Sequence, residues 1–504
     1  MTEPRDWWKG PQVLGVVVPL VVFLAQAIWL WHFSIDDAAI SWRYSAHLAS
    51  GDGLRWNLEG PPVEGYSNFL WVLMLALMGS AGFEIEAASK ILGLAFGLAA
   101  FALLALLCRR LWKENRFWWT PLLFLAVTPE WAMWTMSGLE LASFAAFVLL
   151  AIVALSDPQR INRVTLSVAL AGVVLSRPEG IGVCLLLLAV AVMLPRSDSS
   201  RKDRLLEMTW PALTTVAVAV GLVLFRLSYF GYPMPNTVYA KFSLECPSLP
   251  AVLRWLLLGV PFLVAWGLAL WKPETPRNRW TLAIALLILL GHTAMTLPVS
   301  SVMNFDHRYH IPFMALLVLA APRLLDILWN RRRVTALVAL AIMAIWPLKG
   351  FPAVHLRRFW ESQRIVSQRC IAENLRTLPG RPTVALQDAG RIPYWCDLPY
   401  IDAWGLCDVE FARQGFSPEN LLARRPNLIV LSADSLVNGL VHPRLGLDKI
   451  LYRVKAFPVQ YRLWRHCVFA NRKRTDAYDY AIVADVFWAM DNNLEIPGLQ
   501  QSGQ

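Results

Sequence analysis

Ser34-Ile-Asp-Asp-Ala-Ala-Ile-Ser-Trp-Arg-Tyr44 follows directly on the first long apolar run and leads through Gly51-Asp-Gly-Leu-Arg-Trp-Asn57 into Val63-Glu-Gly-Tyr-Ser-Asn-Phe-Leu-Trp71. Two adjacent carboxylates, Asp36 and Asp37, stand where an apolar helix leaves the hydrocarbon. An amphipathic run follows, and then an acidic and aromatic turn. Solvated loop acids would need no such surroundings. A carboxylate pair at a membrane surface suits an enzyme that takes a proton from a hydroxyl while its other substrate stays in the lipid.

Composition sets the frame for that stretch. Of the 504 residues, 56% are hydrophobic and only 16% are charged. Apolar windows recur along most of the chain, as in a polytopic membrane protein. The formal charge of +11 does not indicate nucleic acid, because Lys and Arg gather in short loops between apolar segments, as cytoplasmic anchoring charges do. Many of the 24 Trp fall near segment ends, where interfacial belts form. The seven Cys include no CxxC pair and no metal spacing. Cys370, Cys396, Cys407 and Cys467 lie in the C-terminal part, where an oxidising compartment would allow disulfides whose pairing the sequence leaves open. The first apolar run is long and lacks a small-residue cleavage site, so it reads as an uncleaved span.

Loop charges set the topology. Arg5 and Lys9 keep the N-terminus in the cytoplasm, and the first span runs from about Pro11 to Phe33. The run from Phe69 to about Ala81 is shorter than the roughly 20 residues a crossing helix needs. Read as interfacial or re-entrant, it leaves the next span, about Ile85 to Cys108, ending inside at Arg109-Arg110-Leu-Trp-Lys113. Spans near 117–129 and 139–155 then return to Arg160 and Arg163. The short runs 164–175 and 181–194 flank Ser176-Arg-Pro-Glu-Gly180, and spans follow near 210–229, 251–271, 280–299, 310–328 and 334–348. The expectation is about eleven crossings, with the N-terminus in and the C-terminus out.

The membrane part thus covers 1–349, with its first outer loop at 34–84, and a soluble composition begins near Gly350. Thr383–Asp388, Asn427–Leu431 and Ala481–Asp485 read as short buried strands, with a helix around 357–376. Residues 350–504 are therefore expected to form an α/β domain outside the cytoplasm.

This topology brings six polar clusters to the outer face: Asp36-Asp37, Glu64-Gly-Tyr66, Ser137-Gly-Leu-Glu140, Ser176-Arg-Pro-Glu179, Pro235-Asn-Thr-Val-Tyr-Ala-Lys241 and Asp306-His-Arg-Tyr-His310. Ionisable groups at membrane depth pair or line a polar cavity, so one shared aqueous cavity is expected. Each cluster has a plainer explanation. Glu140 could offset the positive end of a helix, Arg177 and Glu179 could pair across Pro178, and Lys241 could snorkel to the interface. His307 and His310 lack the second ligand pair that a metal site needs. Arg308 suits a phosphate grip, since guanidinium matches phosphate oxygens.

Taken together, the order of these blocks resembles the glycosyltransferase-C superfamily, whose members use polyprenyl-phosphate sugars. Asp36-Asp-Ala-Ala-Ile-Ser-Trp-Arg-Tyr44 with Val63-Glu-Gly-Tyr-Ser-Asn68 is similar to the group of the mycobacterial terminal arabinofuranosyltransferase and its Gram-negative relatives. So are Ser137–Glu140, Ser176–Gly180, Pro235–Lys241, Asp388-Ala-Gly-Arg-Ile-Pro-Tyr394 and Ile401-Asp-Ala-Trp-Gly-Leu406. A relative that arabinosylates pilin is similar in broad plan. The resemblance implies a catalytic aspartate, Asp36 or Asp37, with Asp36 preferred as the first acid of the pair. It implies donor-phosphate contacts from Arg177, Lys241, His307 and Arg308. Substrate contacts would come from Arg43, Tyr44, Glu64, Tyr66, Asn68, Glu140, Glu179, Asn236, Tyr239, Asp388 and Asp402. The Glu64–Asn68 turn lacks the Lys found in the lipid A aminoarabinose branch, so phosphate neutralisation must come from elsewhere.

The implied reaction moves a sugar, most simply arabinofuranose, from a polyprenyl phosphate to a hydroxyl on an envelope glycan, lipopolysaccharide or pilin. The implied location is the bacterial inner membrane. No cofactor or metal is assigned, although a divalent cation is left open. The alternative is a transporter or lipid-linked-sugar flippase, which would carry charges on both faces and often inverted repeats.

Overall fold

The computed structural model describes residues 11–157, 161–196, 199–241, 248–271, 273, 275–299, 303–437, 440–443, 446–455, 457–467 and 479–495. Arg5, Lys9 and Arg160 lie outside these residues. Among the described residues, five helical stretches are long and apolar enough to cross a bilayer: Ile85–Leu111, Arg201–Tyr229, Leu249–Trp271, Ile311–Arg331 and Arg333–Arg376. Five shorter apolar helices stand among them: Val13–Trp29, Phe69–Ser80, Leu141–Leu155, Arg163–Ser176 and Gly180–Met193. Leu205, Trp210, Leu213, Val216, Val220 and Leu224 are exposed along one helix, and Val334, Leu337, Val338 and Ile342 along another. Water would not tolerate so continuous an apolar surface, whereas lipid does. The chain is a multi-pass helical membrane protein.

Several expected segments take a different form. The segment near 117–129 becomes two helices of 7 residues each, Thr120–Ala126 and Pro129–Thr135. Pro129 ends the first helix, since proline disfavours helical backbone in the residue before it and supplies no N–H. The segment near 310–328 breaks into a 3-10 turn at Ile311–Phe313 and helices Met314–Val318 and Ala321–Arg331. The helix expected from 210 begins at Arg201, where Ser200 and Asp203 form a reciprocal capping box. Helices 163–176 and 180–193 form an antiparallel hairpin, with Gly180 against Val173 and Cys184 Sγ donating to the Leu170 carbonyl. Its tip carries Arg177, Pro178 and Glu179.

The last membrane helix does not stop at the composition boundary. Through a 3-10 turn at Trp346–Gly350 it runs on into the helix Phe351–Arg376, a rod joining the membrane part to the C-terminal α/β domain. Among its described residues that domain holds six strands: β1 (Val384–Leu386), β2 (Tyr400–Asp402), β3 (Leu428–Val437), β4 (Leu440–Pro443), β5 (Tyr461–Cys467) and β6 (Asp479–Asp485). Their order is β2-β1-β3-β6-β5, with β4 paired to β3. Pairs β1/β2 and β1/β3 are parallel, while β3/β6 and β5/β6 are antiparallel. β1, β3 and β6 match the three expected strands. β2 and β5 are short or mixed in polarity and carry little periodic signal.

One disulfide, Cys370–Cys467, ties the rod to β5 across a sequence separation of 97, while Cys396 and Cys407 are free and buried. Losing a native disulfide typically costs about 2–5 kcal/mol. Cys370→Ser should therefore lower the thermal midpoint of the purified protein, and reductant should do the same to wild type but not to the variant.

Candidate functional site

The first membrane helix ends at Trp29, and Lys90 Nζ donates to the Phe33 carbonyl and, at 2.6 Å, to that of Met136. These bonds satisfy carbonyls where two helices end. Ile35 then starts the helix Asp36–Ala49, whose first turn presents both acids where the helix dipole favours negative charge. Gly138, at φ +88°, lies so close that a Cβ would fall 2.7 Å from Trp42 and 3.0 Å from Ala38. Only glycine meets both demands, which explains the Ser137–Glu140 block.

The two acids face different surroundings. Asp37 lines an open cleft of about 1020 Å³. Its Oδ2 accepts from Arg308 at 2.6 Å. Burial pushes its carboxyl up, but the Arg308 guanidinium and the Lys241 ammonium outweigh this and hold it at about 2. Asp36 does not line the cleft. Its carboxylate accepts from the backbone N–H of Gly390 and Arg391 and from the Gln368 amide, each at 3.0 Å. Burial and the neighbouring Asp388 raise its pKa. Asp36 is spent on holding the α/β domain.

Around Asp37 the cleft gathers most of the expected cations and part of the expected substrate contacts. Arg177 donates to Glu140 at 2.5 Å and to Glu179 at 2.5 Å, and stacks on Tyr309 at 5.0 Å. Asn68 links Glu140 (2.7 Å) to the Ser41 hydroxyl (3.0 Å). Tyr66 and Lys241 complete this set, and Ile40, Leu139, Met295 and Val299 add an apolar wall. Three buried polar atoms of lining residues lack a partner among the described residues: Tyr66 Oη, Thr237 Oγ1 and Arg308 Nε. These unpaired groups are available to a ligand that enters the cleft.

Other candidates lie elsewhere. His307 packs at a tilt against Trp255, 5.9 Å between ring centres, and is not in the cleft wall. Arg43 is buried, donating to the carbonyls of Trp56 (2.5 Å), Pro393 and Leu398 and to Asp397 (2.8 Å). Tyr44 bonds Val63 and Gly65, and Glu64 pairs with Arg226 at 2.9 Å. Asn236 donates to three carbonyls of the α/β domain, and Tyr239 stacks on Arg413 at 4.7 Å. Asp388 pairs with Arg364 at 2.5 Å and accepts from Tyr480. Asp402 caps the loop after β2 through the N–H of Trp404 and Cys407. Arg43, Tyr44, Glu64, Asn236 and Tyr239 fasten the outer loop and the two parts of the protein together, while Asp388 and Asp402 brace the C-terminal part itself. Motif spacing could not separate fastening from lining, since both need buried polar residues. Conversely, Ser41, Ser67, Thr237 and Tyr309 line the cleft without having been singled out. All four sit inside the polar stretches of the sequence, but a hydroxyl alone carries no pattern.

Asp402 also makes the domain sensitive to pH. Burial raises both Asp402 and Asp448 to about 7, above the unfolded value of about 4. For a carboxyl so raised, the folded state binds the extra proton. Its stabilising contribution is complete below the unfolded pKa and is lost as pH rises through the folded one. The domain's thermal midpoint should therefore fall between pH 5 and pH 8, and Asp448→Asn should flatten that slope.

The arrangement belongs to a known fold class. The chain has the glycosyltransferase-C fold, spread over nearly its whole length. Among solved structures it is similar to ArnT from Cupriavidus metallidurans bound to undecaprenyl phosphate, with TM-score 0.62, 16% identity and coverage of 96% of this chain and 99% of that one. The apo form of ArnT gives TM-score 0.59 and 16% identity over 94% and 97% of the two chains. The mycobacterial arabinofuranosyltransferase AftD gives TM-score 0.53 and 12% identity, covering 96% of this chain and 40% of that one. Residues 355–483 match a family model described as a domain of unknown function, DUF8728. No curated protein matches this chain in sequence.

Proposed function

We propose that the protein is a membrane glycosyltransferase that moves a sugar, arabinofuranose in the first instance, from a polyprenyl phosphate to a hydroxyl on an extracytoplasmic glycan, lipopolysaccharide or pilin. The observation that carries this reading is the cleft itself, where Asp37 meets Arg308 and Lys241 beside an apolar wall. A lipid-borne phosphate needs cations next to apolar surface, and an acceptor hydroxyl needs a carboxylate within reach. The ArnT structure holds undecaprenyl phosphate, and its likeness in fold supports the same donor class here.

In this mechanism Asp37, rather than Asp36, is the general base, because Asp36 is occupied at the domain junction. An anion held by Arg308 is a poor base while that pairing lasts. The donor phosphate would compete for Arg308 and Lys241, loosen their hold on Asp37 and bring its pKa toward the working range. Asp37 then takes the acceptor proton, the acceptor oxygen bonds to the anomeric carbon, and the sugar–phosphate bond breaks. The cations stabilise the leaving phosphate, and Tyr66 and Thr237 hydroxyls meet the sugar.

The disulfide favours an oxidising compartment for the α/β domain, in line with about eleven crossings, a cytoplasmic N-terminus and a bacterial inner-membrane location. Purified protein given polyprenyl-phosphate arabinose and a glycan acceptor should release polyprenyl phosphate. Mass spectrometry of surface glycans and pilins from cells with and without the gene should show a missing pentose. Identical glycans and pilins in both strains, with no donor turnover, would defeat the reading.

A further inference from the structure

Resting on that reading, we infer that the α/β domain completes the donor site: Asn236 is a positioning residue that holds Lys241 in the cleft. The short helix Asn236–Lys241 has two faces. Thr237 and Lys241, four residues apart and so on one side, both line the cleft. Asn236 and Tyr239, three apart, serve the other side. Asn236 Nδ2 donates to the carbonyls of Gly405 (2.7 Å), Leu406 (3.1 Å) and Asp408 (3.0 Å), and its backbone N–H donates to the Glu64 carbonyl at 2.9 Å. Tyr239 stacks under Arg413, which also covers Tyr232 at 3.7 Å.

The consequence is electrostatic. Within the cleft Arg308 is paired with Asp37, and Arg177 with Glu140 and Glu179. Lys241 has no carboxylate within ion-pair distance among the described residues, so it is the cation left to meet an incoming phosphate. A six-residue helix has too few hydrogen bonds to hold its own place. The bracket of carbonyls around Asn236 fixes it instead, and Leu406, from the same loop, forms part of the cleft wall. The domain thus sets where the phosphate-binding charge stands without touching the reacting atoms.

The test is a double-mutant cycle on the full-length protein in nanodiscs, with binding of undecaprenyl phosphate as the readout. Lys241→Met and Asn236→Ala should each weaken binding about tenfold, a 1.4 kcal/mol change, and the double variant should be no weaker than Lys241→Met alone. Transfer assays should show the Asn236→Ala loss in donor KM more than in kcat. If Asn236→Ala proves unstable, the exposed Arg413→Ala should give about a twofold loss, the scale of a surface cation–π contact, which vanishes in the Lys241→Met background. Equal effects of Asn236→Ala or Arg413→Ala in both backgrounds would overturn the positioning role while leaving the donor reading intact. No binding of undecaprenyl phosphate by wild type would instead remove the donor reading on which it rests.

Discussion

Asp37→Asn should leave a folded protein with sugar transfer reduced on the order of 10²–10⁴-fold, the usual cost of losing a general base. The substitution keeps the shape of the side chain, and one amide oxygen still accepts from Arg308. What disappears is the capacity to take a proton. Asp36→Asn should behave differently. Both Asp36 oxygens accept backbone N–H groups, and an amide NH₂ turned toward either would leave a buried donor facing a donor. That variant should lose thermal stability first, and activity only in proportion to the protein that remains folded. Comparing activity per folded molecule separates the two. Equal activity of Asp37→Asn and wild type would sink the assignment.

The acid side of the pH profile offers a second readout of Asp37. With its carboxyl held at about 2 by Arg308 and Lys241 against the effect of burial, it stays ionised at any pH a membrane enzyme meets. A folded-state pKa depressed in this way gives stability that is present above the unfolded value and is lost only as pH falls through the folded one. Removing the nearest cation in Arg308→Gln leaves burial opposed only by the more distant Lys241 and Arg364. The acid limb of kcat/KM should then move to higher pH, while Arg308→Lys should keep it close to wild type.

Arg391→Met should cause the largest loss of stability, about 3–5 kcal/mol, the range for removing one partner of a buried ion pair. Arg391 is fully buried. It donates to Glu361 and Gln368 at 2.9 Å and to the Ser34 carbonyl at 2.5 Å. It therefore binds the rod helix, the α/β domain and Ser34, in the segment that leads into the Asp36–Asp37 helix, in one cluster. Methionine fills the volume but leaves the Glu361 carboxylate and the Ser34 carbonyl without their donor. The neighbouring Gly390 packs directly on the Asp36 backbone, where any Cβ would collide. Limited proteolysis should cut Arg391→Met near the rod at conditions where wild type resists, and the same treatment should find Gly390→Ala weakened too. A thermal midpoint unchanged in Arg391→Met would contradict this account of the junction.

Some of this was legible in the order of residues alone. Apolar run lengths marked the membrane helices, because a bilayer demands a fixed length of apolar helix whatever the neighbours. The short run at 69–80 is a helix of 12 residues, below the length that a crossing needs. Short continuous apolar runs gave β1, β3 and β6, the buried centre of the sheet. The polar blocks could be grouped on one face, and Arg177, Lys241, Arg308, Asn68, Glu140 and Glu179 do meet in one cleft.

Only the folded chain decided which acid faces that cleft and which blocks are fasteners. Asp36 and Asp37 are neighbours in sequence, yet successive residues of a helix point about 100° apart, so one enters the cleft and the other the domain junction. Arg43, Asn236, Asp388 and Asp402 looked like site residues because a buried polar bond and a ligand contact call for the same side chains. Their partners lie as much as 355 residues away. Local pattern holds no record of contacts at that separation, and three-dimensional packing alone supplies it.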